Sequence, residues 1–172
     1  VIRIGGATLT ATVEGDGSWH CDVPASVLSN LADGAADIQV SVTNTSGNTA
    51  TSGRQVTVDT QPPSVSIDSL TDDNILNAAE ATHTDGQILS GLTSAEPGQT
   101  VTVRLNGKSY SADVADDGTW SLTVPTADLT ALGQGAQSVT VTVQDRAGNS
   151  STTSQEILVD TLAPTVIIDT FT

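Results

Sequence analysis

Residues 101–124 read VTVRLNGKSYSADVADDGTWSLTV, and this stretch decides the fold class. Apolar and polar residues alternate along it in three runs, with the period of a half-buried β-strand rather than that of a helix. Asn106-Gly107 separates the first two runs, and Asp116-Asp117-Gly118 separates the second from the third. Both are turn signals. The stretch therefore predicts three consecutive antiparallel strands joined by tight turns.

Shorter apolar runs on both sides of this stretch predict further strands. They lie at residues 65–67, 88–92, 139–143 and 157–159. Residues 127–132 allow at most one turn of helix. Seven short strands in about 100 residues, with turn signals between them, are typical of an antiparallel β-sandwich of the immunoglobulin-like type. We therefore predict an all-β fold.

The sequence also repeats itself with an offset of 101 residues. The run VDTQPPSVSID at 58–68 recurs as VDTLAPTVIID at 159–169. Without any gap, 20 of the 59 residue pairs between 1–59 and 102–160 are identical, which chance does not produce. We predict one complete immunoglobulin-like repeat over 60–160. The C-terminal part of a preceding repeat (1–59) comes before it, and the first strand of a following repeat (161–172) comes after it.

The preceding repeat has no counterpart of residues 60–101 within the chain. Its first residues, Val1-Ile2-Arg3-Ile4, are typical of the middle of a strand, so we expect a fragment of a longer array. A sandwich that lacks strands leaves sheet edges that need cover. Trp19 and Trp120 are equivalent under the offset, and each is the expected core anchor of its repeat.

The charge balance excludes several classes of partner. The chain has 20 Asp and Glu against 5 Lys and Arg, a net charge of −15. Nucleic acids and anionic membranes are bound through Lys and Arg, so neither is an expected partner. The single cysteine, Cys21, excludes an internal disulfide and a cysteine-rich zinc site. An acidic chain without methionine and poor in cysteine is typical of an extracellular bacterial module.

Three motifs in a fixed order carry a resemblance to a known family. They are Asp59-Thr60-x-x-Pro63 with its copy Asp160-Thr161-x-x-Pro164, Asp72-Asp73-Asn74-x-x-Asn77-x-x-Glu80, and Asp145-Arg146-Ala147-Gly148-Asn149. The chain resembles, over essentially its whole length, the bacterial immunoglobulin-like repeats of giant type-I-secreted surface adhesins of the biofilm-associated-protein kind. The resemblance implies an extracellular stalk that carries an adhesive tip away from the cell, with calcium at or near the domain junctions. The first repeat has Asn44 where the second has Asp145, so that turn does not carry a carboxylate in both copies.

Strand polarity predicts which acidic residues lie together. We call the end of the complete repeat with loops 94–99, 115–118 and 145–149 the N-terminal pole. The end with loops 71–86, 106–107 and 125–136 is the C-terminal pole. The alternation of turns predicts that Asp59 lies near Asp145, Asp116 and Asp117 at the N-terminal pole. It places Asp160 at the C-terminal pole, near Asp72, Asp73, Asn74 and Glu80.

Calcium would explain this crowding of acidic residues. Ca²⁺ takes six to eight oxygen ligands, and carboxylates crowded at one pole repel one another unless a cation neutralises them. We therefore predict one Ca²⁺ site in the 72–80 loop with Asp160 and another at the linker with Asp59 and Asp145. The alternative is that Asp and Asn serve here only as turn formers and solubilising residues, an interpretation we prefer for Asp116-Asp117-Gly118.

The predicted function is that of a structural spacer at the bacterial cell surface. Its partners are neighbouring repeats of the same chain and, through other domains, a host or biofilm-matrix surface. Two alternatives are a module that binds a glycan or protein and a module of homophilic adhesion. Tyr110 is the one aromatic residue of the complete repeat expected to reach solvent, which leaves little for sugar stacking. No catalytic motif occurs, and His20 and His83 fit no zinc pattern, so we expect no enzymatic activity.

Overall fold

A computed structural model describes residues 1–169 and divides the chain into two compact units. Unit 1 is Val1–Gln61, and unit 2 begins at Pro62. Residues 60 and 61, which the prediction assigns to the complete repeat, belong to unit 1, and the repeat boundaries stay a prediction. Of the predicted strand over 161–172, residues 161–169 form no helix or strand, and residues 170–172 lie outside the described residues.

Unit 1 is a single antiparallel sheet with one helical turn. Its elements are β1 (Ile2–Ile4), β2 (Ala7–Leu9), α1 (Ala25–Leu28), β3 (Gly34–Thr43) and β4 (Thr49–Val58). The strand order is β2-β1-β3-β4. The long hairpin of β3 and β4 runs in register from the Gly34–Val58 pair to the Thr43–Thr49 pair.

Unit 2 is a sandwich of two sheets. Its elements are β5 (Ile75–Leu76), α2 (Ala78–Ala81), β6 (Gln87–Leu92), β7 (Thr100–Leu105), β8 (Lys108–Asp113), β9 (Thr119–Val124), α3 (Thr126–Leu129), β10 (Gly135–Gln144) and β11 (Ser150–Val159). One sheet has the order β5-β11-β10-β7-β8, and the other pairs β6 with β9. The alternating run at 101–124 forms β7, β8 and β9, as predicted.

Residues 64–68 extend the smaller sheet of unit 2. The Ser66 and Asp68 amides donate to the carbonyls of Leu92 and Ser90, each at 2.8 Å, and Val65 forms an antiparallel bridge with Thr93. This segment lies where a strand is predicted at 65–67. Among residues 1–169 every strand pairing is antiparallel except that of β5 with β11, which is parallel. A two-residue strand carries no period, so no hydrophobic pattern predicts it.

The core of unit 2 lies between the two sheets. Alternate residues of β7 and β10 point inward, and Val101, Val103, Val139 and Val141 are at most 1% exposed. Trp120 on β9 is equally buried and anchors this core, as predicted. The strands alternate because one face of each packs on this apolar layer while the other meets water.

The prediction that Trp19 anchors the core of its own repeat is wrong. Trp19 is 45% exposed, whereas its equivalent Trp120 is 1% exposed. In unit 2, β6 pairs with β9 and Gly91 of β6 lies opposite Trp120. No strand of residues 1–61 takes that place, and the β9 equivalent, residues 18–23, forms no strand. A tryptophan is buried only when another strand covers it, so the residue type alone did not settle its burial.

The structure agrees with the predicted assignment of loops to the two poles of unit 2. At the N-terminal pole the Arg146 amide donates to Glu96 Oε2 at 3.0 Å. At the C-terminal pole Asn106 Nδ2 donates to the Ala131 carbonyl at 3.4 Å. The single predicted helical turn is α3; α1 is its equivalent in unit 1, and α2 was not predicted.

Candidate metal-binding loops and linkers

The first part of the 72–80 loop is organised around the Asp73 carboxylate. Asp73 Oδ1 accepts hydrogen bonds from the Ile75 amide at 2.9 Å and from the Thr71 hydroxyl at 3.3 Å. Asn74 has φ of 59°, in the left-handed region that Asn tolerates better than most residues. Asp73 therefore closes a local turn, which is the turn-forming role described above as the alternative to calcium binding.

Asn74 connects this turn to β11, the last strand of unit 2, through hydrogen bonds. Its Nδ2 donates to the Glu156 carbonyl at 2.8 Å, and its Oδ1 accepts from Gln155 Nε2 at 3.2 Å. Its carbonyl accepts from the Leu158 amide at 3.2 Å, and the Asp160 amide donates to the Leu76 carbonyl at 3.1 Å. The predicted ligands Asn74 and Asp160 thus both lie where β5 meets β11.

Glu80 and Asn77 form the N-terminal cap of α2. Asn77 Oδ1 accepts from the Ala79 and Glu80 amides at 2.9 and 3.0 Å, and Glu80 Oε2 accepts from the Asn77 amide at 3.0 Å. This reciprocal arrangement is a capping box. The spacing Asn77-x-x-Glu80 was interpreted only as part of a metal motif. The same spacing is a known signature of a helix start and would have identified α2.

Asp145 lies in the turn between β10 and β11 and is 7% exposed. Its Oδ1 accepts from the Asn149 amide at 2.8 Å and its Oδ2 from Asn149 Nδ2 at 3.0 Å. Burial opposes the charged form, but these bonds, with those from the Gly148 and Ala147 amides, outweigh it and hold the pKa of Asp145 below its usual value. The carboxylate is therefore charged at neutral pH and held within its own turn.

Asp59 and Asp160 follow the last strand of each unit, and the threonine after each is held by its own unit. In unit 1, Asp33 Oδ1 accepts from the Thr60 amide at 2.8 Å and from its hydroxyl at 2.9 Å, while Oδ2 accepts from Gln61 Nε2 at 3.0 Å. These bonds, led by the one from the Thr60 hydroxyl, lower the pKa of Asp33. Asp59 Oδ1 accepts from the Gln61 amide at 3.1 Å.

The equivalent contact in unit 2 uses a neutral side chain. Gln134 Oε1 accepts from the Thr161 amide at 3.0 Å, and Gln134 Nε2 lies within hydrogen-bond distance of the Thr161 hydroxyl. We call these two contacts, Asp33 with Thr60 and Gln134 with Thr161, the linker clamps. The sequence does not predict these clamps, because Asp33 and Gln134 are aligned but chemically different residues. The repeated Asp-Thr pair is the one signal of a shared contact.

The predicted calcium ligands are only partly brought together. Asp73, Asn74 and Asp160 lie in neighbouring segments at the C-terminal pole, and Glu80 caps α2 beyond β5. Asp72 is exposed in the same loop. Asp59 belongs to unit 1 and Asp145 to unit 2, so their shared ion stays a prediction. Within residues 1–169 no three His, Cys, Asp or Glu side chains form a group that could hold a metal ion.

The two packed sheets of unit 2, with functional candidates only in loops and linkers, are typical of an immunoglobulin-like module. A family model described as the bacterial Ig-like domain matches the chain twice, over residues 1–60 and 61–161. The chain belongs to this family. Among the residues described, no helix has the length and apolar character needed to span a bilayer.

Solved structures of large adhesins are similar to the chain. One comes from work on the host cell surface retention of a 1.5-MDa bacterial ice-binding adhesin; it is 32% identical, with a TM-score of 0.57 over 93% of this chain and 52% of that one. Another is described as a Ca²⁺-stabilized adhesin that helps an Antarctic bacterium reach out and bind ice; it is 34% identical, with a TM-score of 0.54 over 94% of this chain and 40% of that one. The chain thus spans about half of the first structure and less of the second. The curated proteins contain no match to the chain.

Proposed function

We propose that the chain is a spacer segment of an extracellular bacterial adhesin, in which Ca²⁺ at or near the domain junctions stiffens a stalk of tandem repeats. Membership of the bacterial Ig-like family and similarity to large adhesins support the adhesin assignment. The proposed location is the bacterial cell surface, reached by type I secretion. The proposed partners are neighbouring repeats of the same chain and, through other domains, a host or biofilm-matrix surface.

The observation that carries the spacer role is the pair of linker clamps. A linker of a few free residues would let adjacent repeats swing, because each residue retains its own backbone freedom. In both units the threonine that leaves the last strand is instead bonded through its amide to the body of its own unit. The chain therefore leaves each unit in a fixed direction. Buried Pro63, just beyond the first clamp, also has a fixed φ.

Calcium is the second part of the proposal, with Asp59, Asp72, Asp73, Asn74, Glu80, Asp145 and Asp160 as ligands. Carboxylate, amide and carbonyl oxygens are the donors that Ca²⁺ prefers. Asp73 uses Oδ1 and Glu80 uses Oε2 in local hydrogen bonds, so the proposal assigns the other oxygen of each to the ion. The net charge of −15 favours a divalent cation as counter-ion. A similar solved structure is described as Ca²⁺-stabilized.

Calorimetry of the 172-residue chain with Ca²⁺, with Mg²⁺ and with EDTA tests the calcium proposal. Free Ca²⁺ at about 100 times its Kd should raise the free energy of unfolding by about 2.7 kcal/mol. Mg²⁺ should give less, because it demands octahedral geometry and keeps its waters. Superimposable curves in Ca²⁺ and EDTA would contradict the proposal.

Charge-neutral variants separate the ligand role from the turn role. Asp73→Asn retains an oxygen that can accept the Ile75 amide, as Asn44 does in the equivalent of the Asp145 turn. It should therefore fold in EDTA like the parent but lose most of the Ca²⁺-dependent stabilisation. Asp37→Asn is the matched control, since Asp37 is not a proposed ligand and accepts from Gln55 on the β3–β4 hairpin of unit 1. An equal loss in both variants would mean that only overall charge matters.

Small-angle scattering tests the spacer role itself. Disruption of a clamp by Asp33→Ala should broaden the distribution of interdomain distances, whereas Asp33→Gln, which copies the second clamp, should leave it narrow. Sedimentation at rising Ca²⁺ distinguishes the homophilic alternative, because a spacer stays monomeric. Identical scattering from Asp33→Ala and the parent would argue against the clamp as a stiffening device.

A further inference from the structure

Unit 1 carries a polar groove on the outward face of its sheet. Ile2 and Ile4 of β1 are buried, so the residue between them, Arg3, points to the opposite face. The groove has a volume of about 530 Å³, within the usual range for small-ligand sites. The outward-facing residues that line it are Arg3, Gln39, Ser41, Thr49, Thr51 and Gly53.

The absence of a side chain at Gly53 makes room for this groove. Gly53 lies opposite Gln39 in the register of β3 and β4. Its equivalent in unit 2 is Ser154, whose hydroxyl lies 3.3 Å from that of Thr140, the equivalent of Gln39. A Cβ at position 53 would make only ordinary contacts, the nearest being with the Ile38 carbonyl oxygen at 3.4 Å. Packing therefore does not require glycine here, and its effect is to leave the surface concave.

The groove does not lie on the face that the smaller sheet covers in unit 2. That sheet packs against the inward face of β7, β10 and β11, whereas Arg104, the equivalent of Arg3, is exposed on the outward face. β5 extends the larger sheet at the edge of β11, beside Leu158 and Val159. Strands equivalent to β5 and β6 would therefore leave this groove uncovered.

The polar groups of the groove are not bonded to one another as they are in unit 2. There the outward hydroxyls pair across β10 and β11, Thr140 with Ser154 and Thr142 with Thr152 at 3.0 Å. Within residues 1–169, the Arg3 guanidinium has no hydrogen bond or ion pair to another residue, although the chain is strongly acidic. Its N–H donors therefore face water and are available to a ligand.

We propose that this groove binds a carboxylate-bearing oligosaccharide, that is, a short chain of uronic acid residues. Arg3 holds a carboxylate through two parallel N–H···O bonds, the geometry that suits a guanidinium. The Gln39 amide and the hydroxyls of Ser41 and Thr51 bond to the sugar hydroxyls. This binding goes beyond the spacer role and uses none of the proposed calcium ligands.

Charge and composition favour this occupant over a neutral glycan or a second copy of the chain. No aromatic residue lines the groove, so a neutral sugar finds no ring on which to stack. A second copy carries the same net charge of −15, which opposes its approach. A short acidic sugar instead meets Arg3 directly, while charges farther than about 8–10 Å are largely screened in physiological salt.

The test is a heteronuclear NMR titration of the full 172-residue chain with a galacturonate tetrasaccharide. EDTA is present throughout, so that Ca²⁺ cannot bridge the sugar to acidic side chains. The shifted amides should lie around residues 3, 39–41 and 51–53. The methyl ester of the same tetrasaccharide, which lacks the negative charges, should bind at least about tenfold more weakly, a difference of about 1.4 kcal/mol.

Variants show which residues bind the sugar. Arg3→Gln should weaken binding by about tenfold or more, and Gly53→Ser, which copies unit 2, should weaken it by filling the groove. Arg104→Gln, at the equivalent position of unit 2, is the matched control and should bind like the parent chain. Asp37→Asn should bind more tightly, because Asp37 lies on the same face two residues before Gln39 and repels a carboxylate.

Three results would overturn the proposal. They are no binding of the tetrasaccharide, equal binding of the acid and its methyl ester, and equal losses in Arg3→Gln and Arg104→Gln. Self-association that Arg3→Gln removes would assign the groove to a second copy and would overturn it as well. Arg3 is exposed, so Arg3→Gln should fold, and unchanged amide shifts outside unit 1 verify this.

Discussion

The two units share their hairpins and linkers but differ in what covers their apolar faces. β3 with β4 and β10 with β11 form hairpins of the same length and register pattern, and a clamped threonine follows each. Yet Val42 of the first hairpin is half exposed, whereas its equivalent Val143 is 1% exposed. The hairpin and the linker form from residues that are close together in the sequence. Burial needs strands from distant parts of the chain: Leu89 of β6 lies 54 residues before Val143 in the sequence, and both belong to the core of unit 2.

The two hairpin turns sharpen this comparison because one uses a neutral residue and the other a charged one. Asn44 Oδ1 accepts from the Ser46 and Asn48 amides at 3.0 and 2.9 Å, and Asp145 Oδ1 accepts from the Asn149 amide at 2.8 Å. Gly47 and Gly148 both have positive φ, at 84° and 98°. The turn therefore requires a side-chain oxygen and a glycine but not a negative charge.

The largest expected difference between the units concerns their tryptophans. Trp120→Ala should lower the free energy of unfolding by about 3–5 kcal/mol, since it empties the core of unit 2. Trp19→Ala should cost about 1 kcal/mol or less, because Trp19 is half exposed. Urea denaturation followed by far-ultraviolet circular dichroism measures both. Equal losses would show that Trp19 is as well covered in solution as Trp120 is.

The next largest expected effect is the loss of stability on substitution of Gly91. Gly91→Ala should destabilise unit 2 by about 1–3 kcal/mol, because the new Cβ would meet backbone and indole atoms that cannot move freely. Gly133→Ala is the matched control, since a Cβ there comes no closer than 3.6 Å to any atom outside its chain neighbours, the nearest being Gln137 Nε2. Thermal unfolding of the two variants should separate them clearly. A loss at Gly133 as large as that at Gly91 would mean that glycine's flexibility, not close packing, sets the cost.

Unit 2 has a polar cluster of Tyr110, Asp128 and Lys108 that unit 1 lacks, and this cluster should raise the pKa of Tyr110. Desolvation, followed by the hydrogen bond from the Tyr110 hydroxyl to Asp128 Oδ2 at 2.7 Å, raises the pKa of Tyr110 to about 12. Lys108 also pairs with Asp128, whereas the equivalent positions in unit 1 are Ala7, Leu9 and Val27. Asp128→Asn should shift the pKa downward, toward the ordinary tyrosine value.

Tyr110 is the only tyrosine of the chain, so its tyrosinate absorbance is unambiguous. Asp113→Asn on the same strand is the control and should leave the midpoint unchanged. A midpoint near the ordinary value in the parent chain would show that the Tyr110–Asp128 bond does not persist in solution.

The smallest expected effect is the pH dependence contributed by Asp145. Because its pKa is lowered in the folded state, its contribution to stability is present above the ordinary Asp pKa and is lost as pH falls through the folded value. Asp145→Asn should fold at neutral pH with nearly the same urea midpoint in EDTA, since Asn44 makes the same turn. The variant should lose less stability than the parent below about pH 4.

Parallel acid titrations of Asp145→Asn and the parent chain measure this difference. Asp33, Asp117 and Asp128 also have lowered pKa values and titrate in both proteins, so only the difference between the curves reports Asp145. Superimposable acid titration curves would show that the hydrogen bonds of the turn do not lower the pKa of Asp145.

The sequence predicted most of the fold because its determinants are periodic or local. The alternation in 101–124 and the turn signals at 106–107 and 116–118 defined three strands. The repeat extended the first two to β1 and β2 of unit 1, whereas residues 18–23, the equivalent of β9, form no strand. β5 and α2 were missed for different physical reasons. β5 is too short to carry a period, while the capping box of α2 was present in the sequence but assigned to a metal.

The candidate site was predictable only as far as strand polarity allowed. Polarity brings Asn74 and Asp160 to the same pole, and their bonds to β11 and β5 agree with this. The contacts of a side chain depend on its rotamer and partners, which no pattern specifies. Asp33 and Gln134 hold equivalent threonines through different chemistry, so neither could be found by matching residue types.

The parallel pairing of β5 with β11 has a consequence for a chain under tension. β5 lies near the start of unit 2 and β11 at its end, and the bonds between them include Leu158 N–H to the Asn74 carbonyl and Asp160 N–H to the Leu76 carbonyl. When the two ends of the unit are pulled apart, parallel strands near opposite ends slide past each other, so these bonds are loaded together in shear rather than opened one by one. The force needed to extend unit 2 should therefore be highest at the start of extension. The unit should then unfold abruptly once the β5–β11 hydrogen bonds break.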